Sequence, residues 1–253
     1  MSIVLAALDD SPTAAAVLAV ARRLGLILGA SVRGVHVVTG EARIPEWLTA
    51  ADVPVLVARG DDVVDQLVAA GTDKDVVAVV IGARGRPRNG RPLGGTAVGV
   101  ATALAKPVAV VPPQTDPDAG LHRVLVPLEG TMPTSMAPRS LIELAPGAGL
   151  EVVALHVLEP EMLPLFTDQP QHEQMAWARE FLHRYCRWGI GVVQLVTRVG
   201  RTSELVAEAA REAGADLIVL GWSQELAKGH APVVRAVLEQ VSVPVVLVPT
   251  GPG

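Results

Sequence analysis

The amino-acid sequence predicts an α/β fold made of two consecutive, doubly wound parallel sheets of five strands each. Short continuous runs of Val, Ile, Leu and Ala alternate with longer segments of helical character. Such runs are typical of parallel strands buried on both faces, and alternation with helices is typical of a sheet with helices on both sides. The chain also repeats itself, so one such unit is expected to follow another.

The internal repeat rests on four pairs of similar segments, namely 3–12 with 123–132, 34–42 with 154–162, 77–85 with 216–224 and 106–113 with 243–250. The offset is 120 residues for the first two pairs and 139 and 137 for the others, so the second copy is longer in its middle. The copies meet near residues 112–120, whose Pro- and Asp-rich composition is typical of a linker. We therefore predict domains at 1–115 and 121–253.

The repeat places five strands in each copy. In the first copy they are expected near residues 3–8, 32–38, 54–58, 76–81 and 107–111. In the second copy they are expected near residues 123–128, 151–157, 192–196, 216–220 and 244–248. Helices fill the gaps. Ser11 and Pro12 predict an N-cap and an N1 proline for the first of them. Helix-terminating glycines are expected at Gly29, Gly71 and Gly214.

Composition narrows the class of protein. Half of the 253 residues are hydrophobic and 19% are charged, which is typical of a globular chain with a large core. The net charge is −5 and the basic residues are dispersed, which disfavours general nucleic-acid binding but not a small anionic ligand. Cys186 is the single cysteine, so the chain forms no internal disulfide. With neither a signal-peptide pattern nor a membrane-span pattern, a soluble, cytoplasmic protein is expected.

The stretch GARGRPRNGRPLGGT, residues 82–96, lies between a predicted strand and a predicted helix. It is longer than the usual connection of about 2–6 residues and carries five glycines and four arginines. Glycines let the backbone approach oxygen atoms closely, and a helix beginning at Gly95 and Thr96 offers free N–H groups. Ligands of open α/β sheets bind beyond the carboxyl ends of strands, where Ala7 and Asp9 also lie. We therefore predict an anion site here.

Taken together, these segments resemble the tandem universal stress proteins. The nucleotide-binding members of that family carry G-x2-G-x9-G-(S/T) after the fourth strand, and Gly82, Gly85, Gly95 and Thr96 have that spacing. The strand-one segment LDDSP, with Asp9, and the strand-two segment HVV resemble the elements on the adenine side of the site. The resemblance extends, in two copies, over nearly the whole chain.

The resemblance implies a Rossmann-like, adenine nucleotide alpha hydrolase-like fold, a regulatory role in stress response, and ATP bound by the first copy. The implied ligand-binding residues are Ala7, Asp9, Val37, Gly82, Arg84, Gly85, Gly95 and Thr96. The first three would surround the adenine and ribose. Gly82 and Gly85 would shape the turn beside the ribose and phosphates, Gly95 and Thr96 would hold the phosphate oxygens, and Arg84 would raise the local potential. The triphosphate can carry Mg²⁺, although no residue stands out as a dedicated metal ligand or as a catalytic group.

The second copy departs from the family pattern. Gly221 remains, but Gln224 replaces the second glycine, and Pro232 and Val233 stand where the third glycine and the threonine belong. Glu129 replaces the aspartate of strand one. We therefore expect this copy to bind ATP weakly or not at all and to act mainly as a packing partner. The resemblance implies that the two domains pair like a fused homodimer, and further dimerisation stays open.

Several alternatives remain open at this stage. Residues 82–96 can be a solvated loop, and Asp9 can simply cap the first helix or face solvent. His36 and His156 occupy equivalent positions in the two copies, and we expect both to be structural. Besides a nucleotide-binding regulator, the chain can be a weak enzyme, such as a slow ATP hydrolase, or a nucleotide-free scaffold that acts through its surface. The downstream partner is not predicted.

Overall fold

The computed structural model describes residues 1–40, 45–49, 51–84, 94–128, 139–158, 180, 193–226 and 231–250. Its strands are β1 (Ile3–Ala7), β2 (Ser31–Val38), β3 (Val55–Arg59), β4 (Val76–Gly82), β5 (Val108–Val111), β6 (Arg123–Pro127), β7 (Glu151–Leu158), β8 (Val193–Val199), β9 (Leu217–Trp222) and β10 (Val245–Pro249). Its α-helices are α1 (Ala14–Leu28), α2 (Glu46–Thr49), α3 (Val63–Thr72), α4 (Gly95–Ala103), α5 (Arg139–Leu144), α6 (Thr202–Glu212) and α7 (Pro232–Gln240). Each of the ten predicted strands is therefore present, with ends that differ by no more than three residues.

The ten strands form one continuous sheet in the order β3-β2-β1-β4-β5-β10-β9-β6-β7-β8. All neighbouring strands are parallel except β5 and β10, which pair antiparallel through Val108, Ala109 and Val110. The chain thus has two parallel five-stranded halves with the same internal order, joined edge to edge. We expected two sheets, and the pairing of their last strands merges them into one.

Helices cover both faces of this sheet, as the continuous apolar strands predict. Leu5 of β1 packs in one buried cluster with residues of α3, α4, α6 and α7, whereas its neighbour Val4 packs in a second cluster with α1. Successive strand residues point to opposite faces, so both neighbours are buried only when both faces are covered. The α/β, mostly parallel fold class is confirmed. Among the described helices, none combines the length and the apolar character needed to cross a membrane.

The expected start of the first helix was wrong. Helix α1 begins at Ala14, with Thr13 as an N-cap that makes no side-chain capping bond. Ser11 instead donates from its backbone N and its Oγ to Asp9 Oδ1, at 3.1 and 2.5 Å. The short side chains of this segment thus build a turn before the helix rather than a cap upon it.

Two of the three expected helix-terminating glycines are confirmed. Gly29 and Gly214 have φ of 60° and 61°, the left-handed conformation that glycine adopts without strain. Gly71 lies inside α3 instead, where an added Cβ would come within 2.9 Å of Leu104 Cδ1. That glycine allows α3 to pack closely rather than to end.

Candidate functional site

A cavity of about 250 Å³ opens at the carboxyl-terminal edge of the first half. It lies where β1 and β4 end side by side, and the chain leaves these two strands toward opposite sides of the sheet. This reversal of strand order is the position at which open α/β sheets bind ligands. The start of α4 and the side of α3 complete the described walls of the cavity.

The structure brings most of the predicted site residues together in this cavity. The lining includes six of the eight, namely Ala7, Asp9, Val37, Gly82, Arg84 and Thr96. Gly95 is the first residue of α4 and precedes Thr96 directly. Gly85 lies outside the described residues. Contact of these residues with a nucleotide stays a prediction, but their spatial grouping is a feature of the fold.

The two described motif glycines are not required by packing within the protein. A Cβ added to Gly95 would meet no described atom within 4 Å, and one added to Gly82 would make only ordinary contacts, the nearest at 3.5 Å. By contrast, a Cβ at Gly34 would lie 2.9 Å from Leu8 Cδ1, and one at Gly99 2.9 Å from Val64 Cγ1. The fold therefore explains Gly34 and Gly99, whereas packing does not require Gly82, and Gly95 leaves open space that a ligand can use.

The two ends of the glycine- and arginine-rich loop are tied together at the base of the cavity. Ala83 N donates to Val111 O at 2.7 Å, and Gly94 N donates to Ala83 O at 2.8 Å. The loop therefore leaves the sheet and returns to it at one point, directly before the N-terminus of α4. The first N–H groups of a helix have no carbonyl partner within that helix, so this return point presents free donors beside the cavity.

Asp9 lies at the exposed rim of the cavity. Its Oδ1 accepts the two hydrogen bonds from Ser11, which fixes the carboxylate at the start of the turn. The alternative in which Asp9 caps the first helix is thus replaced by an Asx-turn role. In this position the carboxylate can also accept hydrogen bonds from a ribose or a base.

His36 and His156 occupy the same position in the two halves and have the same environment. Each is 8% exposed, and each Nδ1 donates to a backbone carbonyl, that of Leu8 at 2.8 Å and that of Leu128 at 2.9 Å. Burial lowers the pKa of His156, and its hydrogen bond with Leu128 offsets part of that shift. Since the half without the motif has the same arrangement, the geometry agrees with structural roles for both histidines.

Several lining residues were not identified from the sequence. They include Ser11, Gly94 and the apolar side chains of Val63 and Leu67 on α3. The helical spacing of Val63 and Leu67 would have indicated a buried face, but not that this face borders a cavity. Among the described residues, no group of three or more His, Cys, Asp or Glu side chains is arranged to hold a metal ion.

The corresponding edge of the second half is built differently. Trp222 stands in the register position of Ala83 and is only 3% exposed. Its Nε1 has no hydrogen-bond partner within the described part of the chain. Gln224 stands where the second glycine belongs and has a left-handed backbone, with φ of 62°. Pro232, the first residue of α7, has no N–H to offer at the position of Gly95.

Comparisons with two solved structures that cover nearly the whole chain show the same fold. A protein of unknown function from Pseudomonas aeruginosa has a TM-score of 0.70 and 14% identity, covering 98% of this chain and 92% of its own. A universal stress protein from Archaeoglobus fulgidus has a TM-score of 0.69 and 16% identity, covering 98% of each chain. A shorter one, a universal stress protein in complex with cAMP, has a TM-score of 0.40 and 19% identity, covering 53% of this chain and 100% of its own.

A search of curated proteins gives no match. The family model of the universal stress protein family matches residues 120–249, which is slightly more than half of the chain. The matched segment contains strands β6 to β10, whose order and pairing repeat those of β1 to β5. The chain belongs to the universal stress protein family.

Proposed function

We propose that this protein binds ATP in its first half and acts as a regulator in stress response rather than as an enzyme. The observation that carries the proposal is the cavity at the strand switch, where Ala7, Asp9, Gly82 and Thr96 meet beside the start of α4. The cavity combines an apolar interior with a few polar groups at its rim, which is the usual character of a small-molecule site.

The base and ribose would lie on the side of the cavity formed by β1 and β2. The backbone groups of Ala7 and Val37 would contact the adenine, while Val35 and Leu67 supply an apolar surface for the ring. The carboxylate of Asp9 is an acceptor and suits the ribose hydroxyl groups. Its two hydrogen bonds from Ser11 hold it at the rim before the ligand arrives.

The phosphates would lie at the N-terminus of α4. The free N–H groups of the first turn and the partial positive charge of the helix end favour an anion there. Thr96 would add a hydroxyl donor and Arg84 a positive charge, since both line the cavity. The open space at Gly95 would let phosphate oxygens approach the backbone. Gly85 would form part of the same phosphate-binding surface.

We further propose that the two halves are tandem universal stress domains at 1–115 and 121–253, of which only the first holds nucleotide. The antiparallel pairing of β5 and β10 supports the view that they pair as two subunits of a dimer would. A Mg²⁺ ion would be carried by the triphosphate rather than by a dedicated set of protein ligands. A cytoplasmic location and a further homodimer belong to the same proposal.

The test is to denature the purified full-length protein and to identify and count the released nucleotide by chromatography. We expect about one ATP per chain, and two per chain would contradict a silent second half. A sample without bound nucleotide is titrated with ATP by calorimetry. A flat titration would overturn the proposal in favour of a nucleotide-free scaffold. Steady phosphate release above that of a Gly95→Ala control would instead support a slow ATP hydrolase.

A further inference from the structure

Gln224 of the second half contacts the helix that borders the first-half cavity. Its Nε2 lies 2.7 Å from Leu104 O, 3.3 Å from Thr102 O and 3.4 Å from Ala101 O, at the C-terminal end of α4. These residues are 120 to 123 positions apart in sequence. A side chain of one half thus supplies hydrogen bonds to the end of a helix in the other.

The last carbonyl groups of a helix have no partner within it and need donors from elsewhere. Leu104, the C-cap of α4, already donates its own N–H to Val100 O, and its carbonyl accepts from Gln224. A primary amide has two hydrogens, so it can bond two of the three nearby carbonyls at once. Gln224 therefore acts as a side-chain cap on α4 across the interface between the halves.

The conformation of Gln224 connects this cap with the altered motif. Its φ of 62° is the left-handed conformation that glycine favours, and its position is that of the second glycine in the nucleotide motif. At this position the second half thus combines a left-handed backbone with a side chain that bonds the other half. Asn or Gly would adopt this φ with less strain, so the side-chain bonds are the feature that glutamine adds.

Helix α4 packs in the core through short side chains, of which Ala97, Val100 and Ala101 are buried. It consists of Gly, Ala, Val and Thr, and a Cβ at Gly99 would already come within 2.9 Å of Val64 Cγ1 on α3. A helix of nine residues is about 13.5 Å long and behaves as one rigid piece. A shift at its C-terminal end therefore moves Gly95 and Thr96 at its N-terminal end.

We propose that Gln224 is a positioning residue for the first-half nucleotide site. By capping the C-terminal end of α4, it fixes the axial position of the helix and hence the N–H groups that would face the phosphates. The proposal rests on ATP binding in the first half, as argued above. Under this proposal the second half does more than pack against the first, because ATP binding in the first half depends on Gln224 of the second.

The chain offers a matched control for this role. Gln114 in the linker donates from its Nε2 to Val241 O at 3.3 Å. Val241 is the C-cap of α7 and corresponds to Leu104 in the repeat. Gln114→Ala therefore removes the same kind of bond from the equivalent helix end without touching α4.

The experiment measures ATP affinity by calorimetry in the full-length protein, with hydrogen exchange of α4 followed in the absence of nucleotide. We expect Gln224→Ala to weaken ATP binding about three- to tenfold and to speed amide exchange in α4, whereas Gln114→Ala leaves both unchanged. Gln224→Glu has the same size but no N–H donor and should weaken binding at least as much as Gln224→Ala. Gln224→Lys restores a donor and should recover most of the affinity.

The outcomes distinguish failure of the positioning role of Gln224 from failure of the proposed ATP binding. Equal ATP affinity in the Gln224→Ala and Gln114→Ala variants would overturn the positioning role while leaving ATP binding intact. Failure of Gln224→Lys to recover affinity, with Gln224→Ala weakened, would also overturn it, because the donor would then be irrelevant. A flat titration of the unchanged protein would overturn the proposed function and, with it, this role, whatever the exchange of α4 shows.

Discussion

The two carboxyl-terminal edges of the sheet have the same strand order, but the first is open and the second is filled by a side chain. The first half places Ala83 and glycines around a cavity of about 250 Å³. In the second half, the buried Trp222 stands in place of Ala83. Ala231 and Pro232 stand in place of Gly94 and Gly95. Each change adds side-chain volume or removes a backbone donor at a position that would face a nucleotide.

This difference teaches that family membership and ligand binding are carried by different residues. The family model matches residues 120–249, the half in which the nucleotide motif is altered. What the two halves share is the strand order and the buried apolar strands, which determine the fold. The proposed ligand would depend on a few residues at the strand ends, which can change without loss of that fold.

The largest effect is expected when the Trp222 side chain, which fills the edge of the second half, is removed. Trp222 is 3% exposed and packs in the core cluster that includes Leu220 and Val234. Removal of a buried aromatic side chain leaves a cavity, so Trp222→Ala should lower the free energy of unfolding by about 3–5 kcal/mol. Urea denaturation followed by circular dichroism measures this change.

Trp47→Ala provides the control, because Trp47 on the short helix α2 is only partly buried. A loss at Trp222 no greater than the loss at Trp47 would mean that Trp222 does not fill the second-half core. The bound nucleotide of the Trp222→Ala variant should remain about one per chain, since Pro232 still lacks its N–H. A second nucleotide would identify Trp222 alone as the block.

The next largest effect is expected at the edge of the first half, where the cavity lies. The side chain of Gly95→Val would enter space that contains no described protein atom, so the fold should be retained. That space is the proposed phosphate position, where each hydrogen bond to a charged group contributes about 1.5–3 kcal/mol. Loss of one or two such bonds should weaken ATP binding about a hundredfold, as measured by calorimetry. Gly85→Val should act in the same way.

Gly147→Val is the matched control, because a Cβ at Gly147 in the second half also meets no described atom within 4 Å. Its ATP affinity and its melting temperature should equal those of the unchanged protein. If Gly95→Val also bound ATP normally, the start of α4 would not belong to the site. If it failed to fold, Gly95→Ala would be measured in its place.

The fold was largely predictable because its signals are local and repeated. Continuous apolar runs located all ten strands, and the repeat assigned them to two equal halves. Gly82 and Thr96 line one cavity and Gly95 directly precedes Thr96, but their contact with a nucleotide stays a prediction. Gly85 lies outside the described residues, so its position is untested.

What the sequence could not predict depends on contacts between distant segments. The pairing of β5 with β10 and the bond of Gln224 to Leu104 both join the two halves, and no local pattern encodes either. The role of Gly71 was misjudged because its close neighbour, Leu104, is remote in sequence. The turn of Asp9 and Ser11 was mistaken for a helix cap because both structures favour the same short polar side chains.

A smaller effect is expected at Ala231, which has a left-handed φ of 47° and corresponds to Gly94 of the first half. This conformation costs a residue with a Cβ about 1–2 kcal/mol. Glycine avoids that cost, but its greater freedom in the unfolded chain offsets part of the gain. Ala231→Gly should therefore raise the free energy of unfolding by about 0.5–1 kcal/mol.

The control for that substitution is Ala213→Gly. Ala213 is the C-cap of α6, but it has a right-handed φ of −72°. Glycine there should destabilise the protein by up to about 1 kcal/mol, because no strain is relieved. Urea denaturation of both variants gives the comparison. Two changes of the same sign would contradict strain at Ala231.

The smallest effect is expected from the pH dependence of His156. Because burial lowers the pKa of its imidazole below the ordinary 6.5, the unfolded chain takes up a proton before the folded protein does. The stability contributed by the neutral ring is thus complete above the unfolded-state pKa and is lost as the pH falls. His156→Asn keeps an N–H donor for Leu128 O but cannot titrate, so its stability deficit should shrink between about pH 7.5 and about pH 5.5. A deficit that stays constant over this interval would mean that the ring titrates alike in both states, and that the second-half edge is more open to water than its buried residues indicate.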